Sequence, residues 1–267
     1  MSTKTFMTFG SQKYMRCVDR ISKEASDIEV FDHIHGFTEQ HLKDDTEFWN
    51  LHGQFIENNS VGYGFWVWKS YLIQKMLHTM NYGDYLVYCD SGCEVNAGGR
   101  DRLLEYFELL DKDPHNYGVI SFELEHMEKS WSKRAIFDYF NTDAFDDIIC
   151  KDVNGNVFHF PEGYRPTFER ETIKNTNQFV GGILVMKKNE HLMDLVQKWY
   201  SAVCQYHLLD NSWSNNEYPE FIANRHDQSL FSVLRKLNGS IVLKDETYFH
   251  YWVGSEKYPF LAKRNKE

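Results

Sequence analysis

Short apolar runs and amphipathic helical stripes alternate along this chain, and that alternation leaves few folds open to it. Lys4 to Phe9 reads as a strand ended by Gly10. Tyr14, Cys17, Val18, Ile21 and Ala25 follow at helical spacing, with Ser11 as the N-cap. Ile28 to Phe31 predicts a second short strand, and Phe37 to Asn59 a set of short helices. Trp66 to Met80 is a helix with Leu72, Ile73, Met76, Leu77 and Met80 on one face, stopped by Asn81-Tyr82-Gly83-Asp84. The run YLVYC, Tyr85 to Cys89, is a buried strand. Leu103, Leu104, Phe107 and Leu110 mark a helix, and Tyr117 to Phe122 the next strand. Trp131 to Asn141 reads as helical and Asn154-Gly155-Asn156 as a hairpin turn. Phe179 to Lys187 is one apolar strand, followed by a helix face of Leu192, Leu195, Val196, Trp199 and Val203. His207 to Tyr218 is loop-like, Arg225 to Lys236 is a helix, and Ile241–Leu243 and Thr247–Trp252 are short strands. The pattern predicts an α/β fold in a single domain over 1–267, its mostly parallel sheet flanked by helices. Ligands of such sheets bind beyond the carboxyl ends of the strands.

The charge balance limits the partners. Lys and Arg number 29 against 39 Asp and Glu, a net charge of −10. Nucleic acid is excluded as the main partner, because phosphate neutralisation needs clustered cations. No apolar run reaches membrane-spanning length, so no transmembrane segment is expected. The N-terminal segment is too polar for a secretory leader. Five sparse cysteines make no disulfide framework, which points to a reducing, cytoplasmic setting. Aromatic residues reach 16%, a share that suits cores and flat amphipathic ligands alike.

Three strand-end segments carry the chemistry. There is no GxGxxG and no GxxxxGK[ST], which removes the ordinary dinucleotide and P-loop readings. The first strand ends in Thr8-Phe9-Gly10-Ser11, compatible with a base and ribose or with a plain turn. The strand YLVYC delivers Asp90, followed by the small residues Ser91 and Gly92. A carboxylate there suits a hard divalent cation, and equally an Asp that caps its own turn. Near the C-terminus, His250 is followed by Gly254 and Lys257. Imidazole is a metal ligand, and a Gly backbone with a Lys can hold a diphosphate.

These segments resemble the GT-A nucleotide-sugar glycosyltransferases, family 8 in particular. YCDSGCEV is similar to that family's DxD strand end, and HYWVGSEKYPF to its HFxGxxKPW motif. QFVGGILVMKK resembles FNAGVLLI with Gly182 at the glycine, and RHDQSLFSVL resembles DQDxLN with Asp227 and Gln228 at its start. YGFWVWKSYLIQKML is similar to the helix whose basic residue faces the donor, here Lys69. The wording GFWVWK also resembles small viral and bacterial sugar transferases of the same fold, so a viral member would act in its host's cytoplasm. The resemblance implies transfer of a hexosyl or pentosyl group from a nucleotide-diphosphate donor, with UDP favoured, to a hydroxyl of a glycan or small acceptor. It implies that Asp90 and His250 hold Mn²⁺ or Mg²⁺, and that Thr8, Phe9, Gly10, Lys69, Asp90, Ser91, Gly182, Gly254 and Lys257 bind donor. Asp227 and Gln228 take the catalytic positions, and retention of configuration is favoured. An inverting enzyme would instead need a base, for which Asp227, Glu123 and Glu125 are available.

One departure bears on the metal. Gly92 stands where the family has its second carboxylate, leaving Glu94, water or a weakly held ion to compensate. The same departure supports an alternative, a non-catalytic nucleotide-sugar or glycan binding module. A nucleotidyltransferase is less compatible, since TFGSQKY has one glycine and no arginine.

Overall fold

The computed structural model describes residues 2–142 and 170–266, and the Asn154-Gly155-Asn156 turn lies outside them. The strands in chain order are β1 (Lys4–Gly10), β2 (His33–Thr38), β3 (Tyr85–Cys89), β4 (Glu94–Val95), β5 (Val119–Met127), β6 (Asn177–Phe179), β7 (Ile183–Lys187), β8 (Ile241–Lys244) and β9 (Phe260–Leu261). The helices are α1 (Met15–Asp27), α2 (Glu39–Asp44), α3 (Thr46–Asn58), α4 (Gly62–Phe65), α5 (Val67–Thr79), α6 (Arg100–Lys112), α7 (Glu128–Trp131), α8 (Arg134–Tyr139), α9 (Glu190–Val203), α10 (Tyr206–Leu209) and α11 (Asp227–Asn238).

β1 pairs in parallel with β2 and β3, and β5 with β8. β7 runs antiparallel between β3 and β5, and β6 continues along the same edge of β5. The result is the mostly parallel α/β sheet that the strand–helix alternation and the GT-A resemblance implied. Alternate residues face opposite layers. Met7, Phe9, Leu86, Tyr88, Leu184 and Met186 join one core with side chains of α5, α9 and α11. Phe6, Val87, Cys89, Ile183 and Val185 join the other with those of α1 and α6. Helices thus cover both faces, as a buried parallel sheet requires.

Four local expectations are corrected. The second strand lies at His33–Thr38, not at Ile28 to Phe31. Ile28 instead C-caps α1 and plugs the core at 1% exposure, and Glu29 turns the chain at φ 55°. β2 was hard to see because it is an edge strand with exposed His33, His35 and Gly36. The run Phe179 to Lys187 is broken between β6 and β7 by Val180-Gly181-Gly182. Thr247 to Trp252 is no strand: it ends in a 3-10 turn over His250–Trp252, with Tyr248 and Tyr251 exposed. Ser11 makes no side-chain cap; a short 3-10 turn, Gln12–Tyr14, precedes α1.

Beneath the β6–β7 break lies a buried polar network. Glu128 and Lys236 are both fully enclosed and ion-paired. Ser232, Ser132 and Gln178 also donate to the Glu128 carboxylate. Lys236 binds Asn177 O, and the enclosed Arg235 donates to Val180 O at 2.8 Å and to Ser121 Oγ at 3.1 Å. The α11 side chains therefore pin the backbone on the β6 side of the break. Cys17, Cys89, Cys93 and Cys204 are free thiols. No helix among the described residues is long and apolar enough to cross a membrane.

Removing one partner of an enclosed ion pair strands the other charge. Glu128→Ala should lower unfolding free energy by about 3–5 kcal/mol. Urea denaturation checks this; a loss under about 1 kcal/mol would mean that the network is dispensable.

Candidate active site

β3 ends at Cys89, and Asp90 follows with its N–H donating to Gly182 O at 2.8 Å. A Cβ on Gly182 would lie 2.7 Å from Asp90 Oδ2, and one on Gly181 would lie 2.7 Å from Gln228 Cβ. Glycine at both positions lets β7 and the start of α11 close on Asp90. α11 opens at Asp227 behind His226, which sits at φ 55°. Stacking on Phe65 and Trp66 and a 2.7 Å hydrogen bond to Leu209 O hold His226 there. The turn into α5 is also unusual: Gly62, Tyr63, Gly64, Phe65 and Trp66 all have positive φ. Such strain is sustained only where the surroundings fix it, and here the turn sets the first turn of α5, which carries Lys69.

Lys69 is the centre of the cluster. Its side chain is 2% exposed, with Nζ 3.1 Å from Asp90 Oδ1 and 2.9 Å from Asp227 Oδ2. It also donates to Gly181 O at 3.2 Å and lies 5.2 Å from the centre of the Tyr88 ring. Tyr88 Oη donates to the same Asp90 Oδ1 at 2.6 Å. Asp227 is enclosed, whereas the Asp90 side chain keeps 37% of its surface exposed and so reaches solvent. Burial disfavours the Lys69 charge, but Asp227 and Asp90 outweigh it and raise its pKa. For Asp227 burial dominates the Lys69 attraction, with a push from Asp90, and its pKa rises to about 6. Burial also drives the Tyr88 phenol upward, so it remains a donor.

The other expected residues fall into three groups. Gln228 is close by, but its amide is engaged: Oε1 accepts from Gly181 N at 2.9 Å and Nε2 donates to Gln178 Oε1 at 2.7 Å. Thr8 and Phe9 are buried, with Phe9 packed on Trp68 at 3.8 Å, so their side chains serve the core. Gly10 allows α1 to approach, since a Cβ there would meet Val18 Cγ2 at 2.6 Å. Ser91 is buried, and its carbonyl accepts from Arg20 at 2.8 Å. His250, Gly254 and Lys257 lie exposed on the C-terminal segment. Lys257 borders a different cavity, about 400 Å³, beside Asp101, Arg102, Glu105 and Glu246.

That placement bears on Mn²⁺ or Mg²⁺. Asp90 is the one carboxylate of the trio that reaches solvent, and its Oδ1 already serves Lys69 and Tyr88. Glu94 does not replace the missing ligand, because both its oxygens bind Lys263 Nζ, at 2.9 and 3.0 Å. Among the described residues no three His, Cys, Asp or Glu side chains are grouped to hold a metal ion. Among the described residues the protein by itself therefore supplies no three-ligand site for a free ion.

Tyr88 was not singled out from the sequence. The signal for Tyr88 was present: it stands two residues before Asp90 and so shares its side of the strand.

No protein-family model and no curated protein matches this chain. Among solved structures it is similar to a glycosyltransferase involved in the glycosylation of the major capsid of PBCV-1, with 12% identity over 97% of this chain and 93% of that one, TM-score 0.47. Mouse xyloside xylosyltransferase 1 gives 11% identity over 94% and 89%, TM-score 0.43. The WbbM bifunctional glycosyltransferase gives 13% identity over 97% of this chain but only 41% of its own, TM-score 0.39. Likeness at this level says nothing of substrate or chemistry, which rest on the cluster itself.

Lys69→Met would leave two carboxylates facing each other. It should cost about 3–5 kcal/mol near pH 8 and much less near pH 5, where Asp227 takes up a proton. Urea unfolding at both pH values measures this; a pH-independent loss would mean that Lys69 acts by packing alone.

Proposed function

We propose that this chain is a glycosyltransferase that moves a hexosyl or pentosyl group from a nucleotide-diphosphate sugar, UDP by resemblance, to a hydroxyl of a glycan or small acceptor. The observation that carries the proposal is the Lys69 ammonium locked between Asp90 and Asp227 at the carboxyl end of β3. That is where an α/β sheet binds its ligand. A structural ion pair has no need of an exposed partner, yet Asp90 keeps an open flank there.

In this reading Asp90 accepts hydrogen bonds from the donor ribose or sugar through its exposed edge. Lys69 and Tyr88 hold that carboxylate in one orientation, so little reorganisation is left for the reaction. Asp227 is the buried counter-ion that fixes Lys69 and, through it, Asp90. Gln228 secures Gly181 and so keeps the β6–β7 break open beside Asp90. The anomeric C–O bond breaks with its electron pair leaving on the nucleoside diphosphate. The acceptor oxygen bonds the anomeric carbon, and its proton passes to the departing phosphate oxygen. Retention of configuration is carried over from the family-8 resemblance alone. These steps use the chain's own groups, and none runs through Mn²⁺ or Mg²⁺. Gly92 in place of a carboxylate favours a second reading, a non-catalytic binder of nucleotide sugar or glycan.

A panel of nucleotide sugars, assayed for release of nucleoside diphosphate, decides between the two. Turnover supports transfer; tight nucleotide binding without turnover supports the binder. Asp90→Ala should lower kcat/KM roughly 100-fold or more while the fold stays intact by circular dichroism. Near-native turnover in that variant would remove Asp90 from the mechanism.

Activity should rise with pH through about 6 as Asp227 loses its proton and the Lys69 pair is restored. Asp227→Asn should abolish that limb; a limb that survives belongs to another group. Without nucleotide, Mn²⁺ should bind the protein only weakly, with Kd above roughly 1 mM by equilibrium dialysis. Micromolar binding by the protein alone would reveal a metal site outside the groups described.

A further inference from the structure

In the chain just before α11, residues between Asn211 and Asn224 line a cavity of about 580 Å³, a size that takes a small ligand. Its walls combine two chemistries. Trp213, Tyr218 and Phe221 supply flat apolar surface, and Trp213 keeps 72% of its surface exposed. Asn211 and Asn215 supply amides, each able to donate and accept at once. Vicinal hydroxyls ask for that pairing. No Lys or Arg is among the described lining residues, although Arg134 and Lys174 lie over the Tyr218 ring at 5.5 and 5.7 Å. Glu217 is the charged group among the described lining residues, and it accepts from Arg134 N at 2.7 Å. Among these described lining residues a diphosphate finds no cation. A neutral ring with one apolar face and hydroxyls at its edge finds both surfaces it needs.

The cavity is held in shape from behind. Lys133, 2% exposed, donates to His207 O at 2.7 Å, Asp210 Oδ1 at 2.6 Å and Ser212 Oγ at 3.1 Å. Asn224, 7% exposed, donates to Leu208 O, Leu209 O and Asp210 O. Its Oδ1 is buried and has no hydrogen-bond partner, an acceptor that the protein leaves unmet. Asn224 stands three residues before Asp227. The chain cannot separate their Cα atoms by more than roughly 11 Å.

We propose that this cavity is the acceptor subsite and that it takes a neutral oligosaccharide, one ring stacked on Trp213 and its hydroxyls on the asparagine amides. The inference rests on the glycosyltransferase reading and adds the class of acceptor to it.

Saturation-transfer NMR on the whole protein, with cellobiose, maltose, lactose and xylobiose as probes and no donor present, tests the site directly. At least one of these sugars should receive saturation, Trp213→Ala should abolish it, and Trp213→Phe should keep part of it. No transfer to any of them, or transfer undiminished in Trp213→Ala, overturns the subsite. In the donor assay, Trp213→Ala should raise acceptor KM roughly three- to tenfold, with donor KM and UDP affinity unchanged. An equal loss in UDP affinity would overturn the assignment to acceptor, since the residue would then serve the donor or the fold. Should the sugars bind while no nucleotide sugar turns over, the transferase reading fails, and with it the acceptor role, although a glycan site remains.

Discussion

One ammonium between two carboxylates organises the carboxyl end of this sheet. Lys69 comes from α5, Asp90 from the end of β3 and Asp227 from the start of α11, so the cluster ties three distant parts of the chain to one point. Burial would penalise each charge alone. The two carboxylates keep the charge on Lys69, while burial lifts the Asp227 pKa to about 6 despite the ammonium beside it. The cluster is asymmetric in exposure: Asp227 and Lys69 are enclosed, while Asp90 opens to solvent.

The backbone around the cluster is shaped to permit it. The glycines at 181 and 182 break an otherwise apolar strand at the place where Asp90 and Gln228 must approach. The enclosed Glu128–Lys236 pair and Arg235 anchor the β6 side of that break. On the opposite side, the run of positive φ from Gly62 to Trp66 starts α5 so that Lys69 points inward. Lys69 meets both distortions, its ammonium donating to Gly181 O and its backbone N–H to Trp66 O. The segment that leads into α11 forms the amide- and aromatic-lined cavity, so a single helix start joins the buried charges to the proposed acceptor wall.

Much of this was legible in the sequence, and the rest failed for identifiable reasons. Buried strands such as Tyr85–Cys89 and amphipathic helices such as α1 and α9 declare themselves by periodicity. The edge strand β2 does not, because its exposed histidines carry no apolar pattern. The aromatics from Tyr248 to Trp252 imitate a strand but largely decorate a surface turn, since apolar type does not reveal exposure. Of the expected site residues, Lys69, Asp90, Gly182, Asp227 and Gln228 gather at one place. Thr8 and Phe9 turn into the core, and His250 and Lys257 make no bond to Asp90 among the described residues.

The sequence by itself determined the α/β class, the order of the buried strands and the arrival of Asp90 at a strand end, because these depend on local periodicity and on chain direction. Only the tertiary structure decided who meets Asp90. A side chain's partner depends on the angle and depth at which separate elements pack, and no local pattern encodes these. Lys69 therefore became a buried bridge between two carboxylates rather than an open cation. Gln228 became a clamp on Gly181, and the carboxylate of Glu94 went to Lys263 instead of to the space beside Gly92.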